Sequence, residues 1–292
     1  MSALSLDSAL AHALGLSLQV KESAQSGSVA LSSSGAQYVA GCVGSETHLL
    51  DIPSELAVLV RAVHNNDVAI EQVHTLSNNT ETPVSPLVLK LLADHSTRTG
   101  VTIRYTLHDV SGNRLFETDN VRDALTFYRM PDTILTSVMG RVPGSGKTNL
   151  DRTSNISIEM QLRKWARIGC GNNFPTRDGA SGYGAAVLTA AGNIYYGGQY
   201  STFEHRLGVH AEMATLLNAL MDGARDITHI GIASSKFVDT LCSPCGCCRQ
   251  FIAEMSRTYD FSPGIYLFAS GNEQFKLCSI NELLPVQWTN RK

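Results

Sequence analysis

The feature that most constrains this chain is that it repeats itself. Gly35-Ala-Gln-Tyr38-Val-Ala-Gly41 matches Gly192-Asn-Ile-Tyr195-Tyr-Gly-Gly198 at a separation of 157 positions, and Pro53-Ser54-Glu55-Leu56-Ala57 falls on His210-Ala211-Glu212-Met213-Ala214 at the same separation. Ser85-Pro86 then falls on Ser243-Pro244 at 158, and Ser111-Gly112-Asn113 on Ser270-Gly271-Asn272 at 159. A separation that drifts by single residues is what loop insertions produce in a duplicated unit. With 292 residues, 43% of them apolar, the chain can bury the cores of two ordinary domains. The expected division is a first unit at 1–125, a connector at 126–152 and a second unit at 153–292. The connector fits neither copy and holds Pro131, Gly140, Pro143, Gly144 and Gly146. Its Gly144-Ser-Gly-Lys147-Thr148 resembles the end of a phosphate-binding loop, but Arg141 stands where that loop needs glycine.

Chemistry concentrates in the second copy. Gly208-Val209-His210-Ala211-Glu212-Met213-Ala214 runs into Leu216, Leu217 and Leu220 at helical spacing, and Ser243-Pro244-Cys245-Gly246-Cys247-Cys248-Arg249-Gln250 runs into Phe251, Ile252 and Met255. Each motif therefore opens a helix, and each follows a strand-like stretch, Ala185 to Tyr196 for the first and Thr228 to Ala233 for the second. A helix N-terminus offers unpaired N–H groups and the positive end of a dipole, which favour thiolate over thiol at Cys245 and Cys248. Neutral His210 with two thiolates would balance a zinc dication and leave a fourth position open for water. Glu212, two residues beyond the His ligand, is placed to carry a proton to and from that water. Cys247 is expected to point away as a packing residue, and Cys242 to sit at a strand end in the core. His-x-Glu together with Pro-Cys-x-x-Cys is the signature of zinc-dependent deaminases.

These two motifs resemble those of cytidine deaminases acting on free nucleosides, and in particular the two-domain form with His as the third ligand. The likeness continues through Gly184-Ala-Ala-Val-Leu188, Gly192-Asn-Ile-Tyr195 and Ile280-Asn-Glu-Leu-Leu-Pro285, covering nearly all of residues 155–292. The resemblance implies a duplicated α/β/α three-layer fold, a mixed sheet between helices. It also implies one zinc ion per chain on His210, Cys245 and Cys248, and a homodimer that imitates the tetramer of single-domain relatives. The implied reaction is hydrolytic deamination of a cytosine nucleoside, as in pyrimidine salvage: hydroxide adds to C4, Glu212 moves protons to N3 and to the leaving amine, and Ala211 offers a backbone contact to the exocyclic group. Arg249 is read either as a hydrogen-bond donor to the thiolates or as a solvated or ion-paired helix residue.

The resemblance breaks where the sugar should bind. In those enzymes an Asn-x-Glu tripeptide before the first zinc motif holds the ribose hydroxyls, and counting back from His210 the positions are Gln199-Tyr200-Ser201. A serine cannot replace a carboxylate that accepts two hydroxyl hydrogen bonds, each contributing roughly 1.5–3 kcal/mol. The expected substrate is a cytosine nucleoside modified in sugar or base, unless Glu204 or a neighbouring subunit takes over the ribose. Ser181 stands at the position of the family's Phe, so Phe174, Tyr183 or Tyr200 would fill that space.

In the first copy the repeat turns His210 into Pro53, Cys245 into Leu87 and Cys248 into Lys90, so every ligand is lost. Glu55 survives opposite Glu212 and is expected as a helix N-terminal residue favoured by the dipole. The net charge of −3 gives no basic stripe for nucleic acid, which weighs against an editing deaminase. A purely structural zinc site would have no use for Glu212. The first twenty residues hold no Lys or Arg and read as a short amphipathic helix, and no run of eighteen apolar residues occurs, so neither a secretory signal nor a membrane partner is expected. Four of seven cysteines crowd between Cys242 and Cys248, which suits a metal site in the reducing cytoplasm better than disulfides.

Overall fold

The computed structural model describes residues 4–19, 25–47, 49–78, 84–125, 134–204 and 207–289. Its elements run α1 (Leu6–Gly15), β1 (Leu18–Gln19), β2 (Ser26–Ser32), β3 (Gln37–Gly41), β4 (Val43–Gly44), α2 (Ser54–His64), β5 (Ile70–Ser77), α3 (Pro86–Thr99), β6 (Arg104–Asp109) and β7 (Arg114–Thr118). They continue as β8 (Lys147–Asn149), α4 (Ile158–Gly171), β9 (Tyr183–Thr189), β10 (Asn193–Gly198), α5 (Ala211–Met221), β11 (Ile227–Ser234), α6 (Gly246–Tyr259), β12 (Gly264–Phe268), β13 (Phe275–Cys278) and α7 (Ile280–Leu283). The amphipathic segment expected at the N-terminus is α1, capped by Ser5 and buried along Ala9, Leu10 and Ala13.

Two mixed sheets result, ordered β3-β2-β5-β6-β7 and β13-β12-β11-β9-β10-β8, with a small parallel pair β1-β4. Shared topology extends to pairing sense. In the first sheet β2 is antiparallel to β3 and β5, β5 is parallel to β6, and β6 is antiparallel to β7; the second repeats this with β9, β10, β11, β12 and β13. Even the bulge recurs at the repeat separation, with Glu71 of β5 passed over opposite Leu31 and Ser32 and Thr228 of β11 passed over opposite Leu188 and Thr189.

Alternation along β2 and β9 sorts the helices to opposite faces. Val29 joins α1 in one apolar cluster while Ala30 joins α2 in another; Ala186 joins α4 while Val187 lies in the core that contains α5. Close approach of the outer helix demands glycine at the same place in both copies. A side chain on Gly27 would run into the Ala13–Leu14 backbone of α1, and one on Gly184 into the Ala166 and Cys170 backbone of α4.

Every residue of α5 is buried, and all of α2 except Arg61. Helices apolar on all sides must be covered on all sides, and they cover each other, so one continuous core runs through both halves. His64 at the end of α2 lies where a Gly197 side chain would be, its Nε2 at 2.8 Å from the Gly198 carbonyl and its Nδ1 at 2.6 Å from Asn218 Nδ2. Burial pushes its pKa down to about 4.

Two sequence expectations change here. Residues 126–133 of the connector lie outside the described residues, but the rest does not hang free. Leu135 and Val138 are buried, and Lys147–Asn149, the lysine-containing end of the loop that resembled a phosphate site, is the edge strand β8 paired with β10. The repeat also shifts after β11: α3 and α6 start at Pro86 and Gly246 and end on left-handed Gly100 and Asp260, a separation of 160 rather than 158. Cys245 and Cys248 therefore correspond to Ser85 and Val88, not to Leu87 and Lys90. The Ser-Pro dipeptide misled because it sits at different distances from the two helix starts.

Candidate active site

His210 is the N-cap of α5 and Cys245 the N-cap of α6; both are extended, and neither side chain caps its helix. The side chains turn to each other instead. His210 Nδ1 lies 3.3 Å from both Cys245 Sγ and Cys248 Sγ, and the two sulfurs are 3.5 Å apart. A tetrahedral zinc ion with Zn–S near ~2.3 Å and Zn–N near ~2.0 Å would separate its ligands by roughly 3.5–3.8 Å, so the triangle fits that ion after opening by a few tenths of an ångström. Among the described residues this is the group of three His, Cys or acidic side chains placed to hold a metal. Cys248 is fully buried and Cys245 exposed, so the triangle has a closed and an open side.

Electrostatics prepare the triangle for a cation. The hydrogen bond from the Cys248 thiol, then His210, holds the Cys245 thiol well below the ordinary range; the same bond and burial push Cys248 up. One proton shared by two thiols is what a metal ion displaces. Glu212, in the first turn of α5, is 6% exposed, accepts from the Cys248 thiol, and has its pKa raised chiefly by burial. A carboxyl lifted in this way is suited to carrying protons. Ala211 is fully buried between the two motif residues.

Gln199 and Ser201 are partly exposed and hydrogen-bonded to each other, Nε2 to Oγ at 3.1 Å. The segment is paired on both sides: Phe174 N donates to Gln199 O and Ser201 N to Phe174 O, each at 2.8 Å, while Tyr200 and Val209 exchange amide bonds. Phe174 and Tyr200 are fully buried and stacked at 5.0 Å, with Tyr200 OH at 2.9 Å from His95 and the Arg98 guanidinium over the Phe174 ring, both from the first half. Tyr183 is partly exposed and meets Phe237 edge-on at 6.3 Å. Glu204 faces Lys90 at 3.9 Å.

Other expectations resolve differently. Arg249 makes no bond to the thiolates: its Nε donates to Pro244 O, NH1 to Leu283 O and NH2 to Ser243 Oγ, so it braces the backbone before Cys245. Cys247 is exposed and not packed, and it lines a cleft of about 170 Å³ with His210 and Met213. That cleft is closed by Leu49, Leu50, Asp51 and Ile52 of the first half, a contribution that no spacing within one copy could have revealed. Cys242 is buried in the core, in a loop and not at a strand end, with its amide on Phe268 O.

The corresponding place in the first half holds no metal ligands. Pro53 and Ser85 are the N-caps of α2 and α3, and Ser85 is an ordinary one that accepts from Leu87 N. Glu55 is buried, not merely lying on the helix dipole: its Oε1 accepts from Thr75 Oγ1 at 3.0 Å and Tyr105 OH at 2.8 Å, next to a chain of hydroxyls from Ser28 and Ser54.

Comparison with known proteins places this geometry in a family. Residues 176–261 match the family described as cytidine and deoxycytidylate deaminase zinc-binding region. A cytidine deaminase of Halalkalibacterium halodurans is 31% identical over 108 residues, 36% of this chain and 76% of that protein. A blasticidin-S deaminase of Bacillus cereus is 27% identical over 112 residues, with the same coverage. A cytidine deaminase of Vibrio parahaemolyticus is 37% identical over 75 residues, 25% of this chain and 23% of that protein, so the match spans less than a quarter of its length. The solved cytidine deaminase of Burkholderia pseudomallei is 21% identical with a TM-score of 0.40, covering 46% of this chain and all of that one. The chain belongs to the cytidine deaminase family, zinc-binding hydrolases acting on carbon–nitrogen bonds.

Proposed function

We propose that this protein hydrolyses the exocyclic amine of a free cytosine nucleoside at one zinc centre per chain, in a catalytic domain at 153–292 attached to a metal-free copy at 1–125. The observation that carries this reading is the triangle of His210, Cys245 and Cys248 with the buried carboxyl of Glu212 beside it. His210, Cys245 and Cys248 would hold zinc, which would lower the pKa of a water towards neutrality. Glu212 takes one proton from the attacking water and passes it to ring N3, then takes the remaining proton from the new C4 hydroxyl and gives it to the departing amine; the new bond is C4–O, the broken bond C4–N4, and the products are the uracil form and ammonia. Arg249 keeps the Cys245 turn in place by holding two oxygens of that turn, Pro244 O and Ser243 Oγ, and tying them to Leu283 O at the end of α7.

The sugar-facing segment supports a substrate other than plain cytidine. Gln199 and Ser201 provide an amide and a hydroxyl but no carboxylate, and Glu204 is turned towards Lys90. The likeness to a blasticidin-S deaminase agrees with a substrate other than plain cytidine. Measured kcat/KM for cytidine, deoxycytidine and sugar-modified cytosine nucleosides tests this. The modified compounds are expected to win, and a cytidine value of about 10⁴ M⁻¹s⁻¹ or more would contradict the sugar argument. No helix among the described residues is long and apolar enough to cross a membrane, and we place the enzyme in the cytoplasm as a homodimer, for which light scattering should give twice the 31.5 kDa of one chain.

A further inference from the structure

The two halves clasp each other by an exchange that the repeat makes exact in register. On α3, Asp94 Oδ2 accepts the Phe203 amide at 3.3 Å; on α6, Glu254 Oε2 accepts the Glu46 amide at 3.2 Å. Asp94 corresponds to Glu254 at a separation of 160, and Glu46 to Phe203 at 157. Each half thus sends one acidic side chain to the loop that precedes the other half's first motif helix. Only one of these loops belongs to the half with metal ligands; the other leads into Leu49–Ile52, which wall the cleft beside His210.

The clasp on the catalytic half's loop differs in resting on a buried ion pair, whereas Glu254 is held by Ser45 Oγ at 2.7 Å and Gln250 Nε2 at 2.9 Å. Asp94 is 3% exposed and bonded to Arg98 at 2.7 Å, and Arg98, itself fully buried, donates to Pro175 O at 2.8 Å. His95, one residue on, sits with Nδ1 at 2.9 Å from Tyr200 OH. The other carboxylate oxygen, Asp94 Oδ1, is buried with no hydrogen-bond partner, so the ion pair is kept at a desolvation cost that apolar packing would avoid.

We propose that Asp94, on the metal-free half, is a positioning residue for residues 199–203 of the catalytic half, setting nucleoside binding without touching the nucleoside. The route is short. Asp94 holds the Phe203 amide and His95 the Tyr200 hydroxyl, and Tyr200 is the chain link between Gln199 and Ser201, whose side chains bond to each other at 3.1 Å. The proposal rests on the reading of Gln199 and Ser201 as sugar-facing.

A second bond between the halves supplies the control. Arg61→Met breaks the ion pair to Asp222 at 2.6 Å, which touches neither loop, so a merely structural role would move stability in this variant and in Asp94→Asn and KM in neither. With zinc-loaded protein and cytidine and 2′,3′-dideoxycytidine as substrates, Asp94→Asn is expected to raise KM about tenfold, with kcat within threefold and zinc content unchanged. Arg61→Met is expected to leave KM within twofold. Should Asp94→Asn fold poorly, Asp94→Leu with Arg98→Met removes both buried charges, and Tyr200→Phe cuts the His95 bond alone; both should raise KM. Equal KM values for all variants and the wild type overturn the proposal. Gln199→Ala shows where it failed: a raised KM there, with none for Asp94→Asn, refutes the positioning role, and an unchanged KM there refutes the sugar-facing reading beneath it.

Discussion

Glu212 and Glu55 occupy the same position of the same fold, the second residue of a motif helix, and have opposite surroundings. Around Glu212 the N-cap side chains are His210 and Cys245, turned away from capping and towards each other. Around Glu55 they are Pro53, which cannot ligate, and Ser85, which caps its helix in the ordinary way. Neighbours that are apolar in one copy are hydroxylic in the other: Ala185, Ile232 and Ile265 of the catalytic half correspond to Ser28, Thr75 and Tyr105. A buried carboxyl needs partners. One copy supplies a metal centre and the other a closed network of hydroxyl donors, which shows that the fold tolerates loss of its chemistry when hydrogen bonds replace it.

The largest expected contrast is kinetic. Glu212→Gln should cut turnover about 10³-fold or more while leaving zinc bound, because shape is kept and the proton carrier is lost. Glu55→Gln should leave kcat within twofold and instead lower thermal stability, since Thr75 and Tyr105 then face an amide in place of a carboxylate; a cost of about 1–3 kcal/mol is expected. Loss of activity in a folded Glu55 variant would break the comparison.

Next in size is the response to acid, which tests whether the metal-free half serves as scaffold. Burial holds its His64 near pKa 4 and its His95 near 3, both below the ordinary 6.5, and both side chains bond to the catalytic half at Gly198 and Tyr200. In the unfolded chain each histidine binds a proton near pH 6.5, so at lower pH the unfolded state carries more protons than the folded one. Stability is therefore full above about pH 6.5 and falls as pH drops towards 4, by a few kcal/mol in all at the order-of-magnitude level. Denaturant midpoints between pH 7 and 4.5 measure this. His64→Gln should flatten the slope.

The smallest contrast lies at the second motif. Ser85→Ala removes a helix cap and should cost about 1 kcal/mol with activity intact. Cys245→Ala at the matching position should release zinc. A melting curve and a metal assay on each variant separate the two roles.

How much of this was legible in the sequence follows from where the chemistry lies. The grouping of His210, Cys245 and Cys248 with Glu212 beside them could be read because all four sit at fixed spacing from two helix starts. The register of the second motif slipped by two residues because Ser-Pro marks the turn before α6 but the start of α3. Arg249 was undecided from sequence because its partners are two backbone carbonyls and one serine hydroxyl, which leave no pattern. The roles of His95, Asp94 and Leu50 were invisible, since their partners lie in the other half, over a hundred residues away. Phe174 and Tyr200 were expected near the substrate for the same reason: that they belong to the interface is a fact about how the halves meet.

The account stands on one zinc centre in a chain with two copies of the fold. Zinc per chain, measured on the purified protein and on Cys248→Ala together with ammonia release from a cytosine nucleoside, tests it most directly. About one zinc with release of ammonia in the first, and loss of both in the second, is the result the account predicts. Two zinc ions per chain, or ammonia release that survives without zinc, would contradict it.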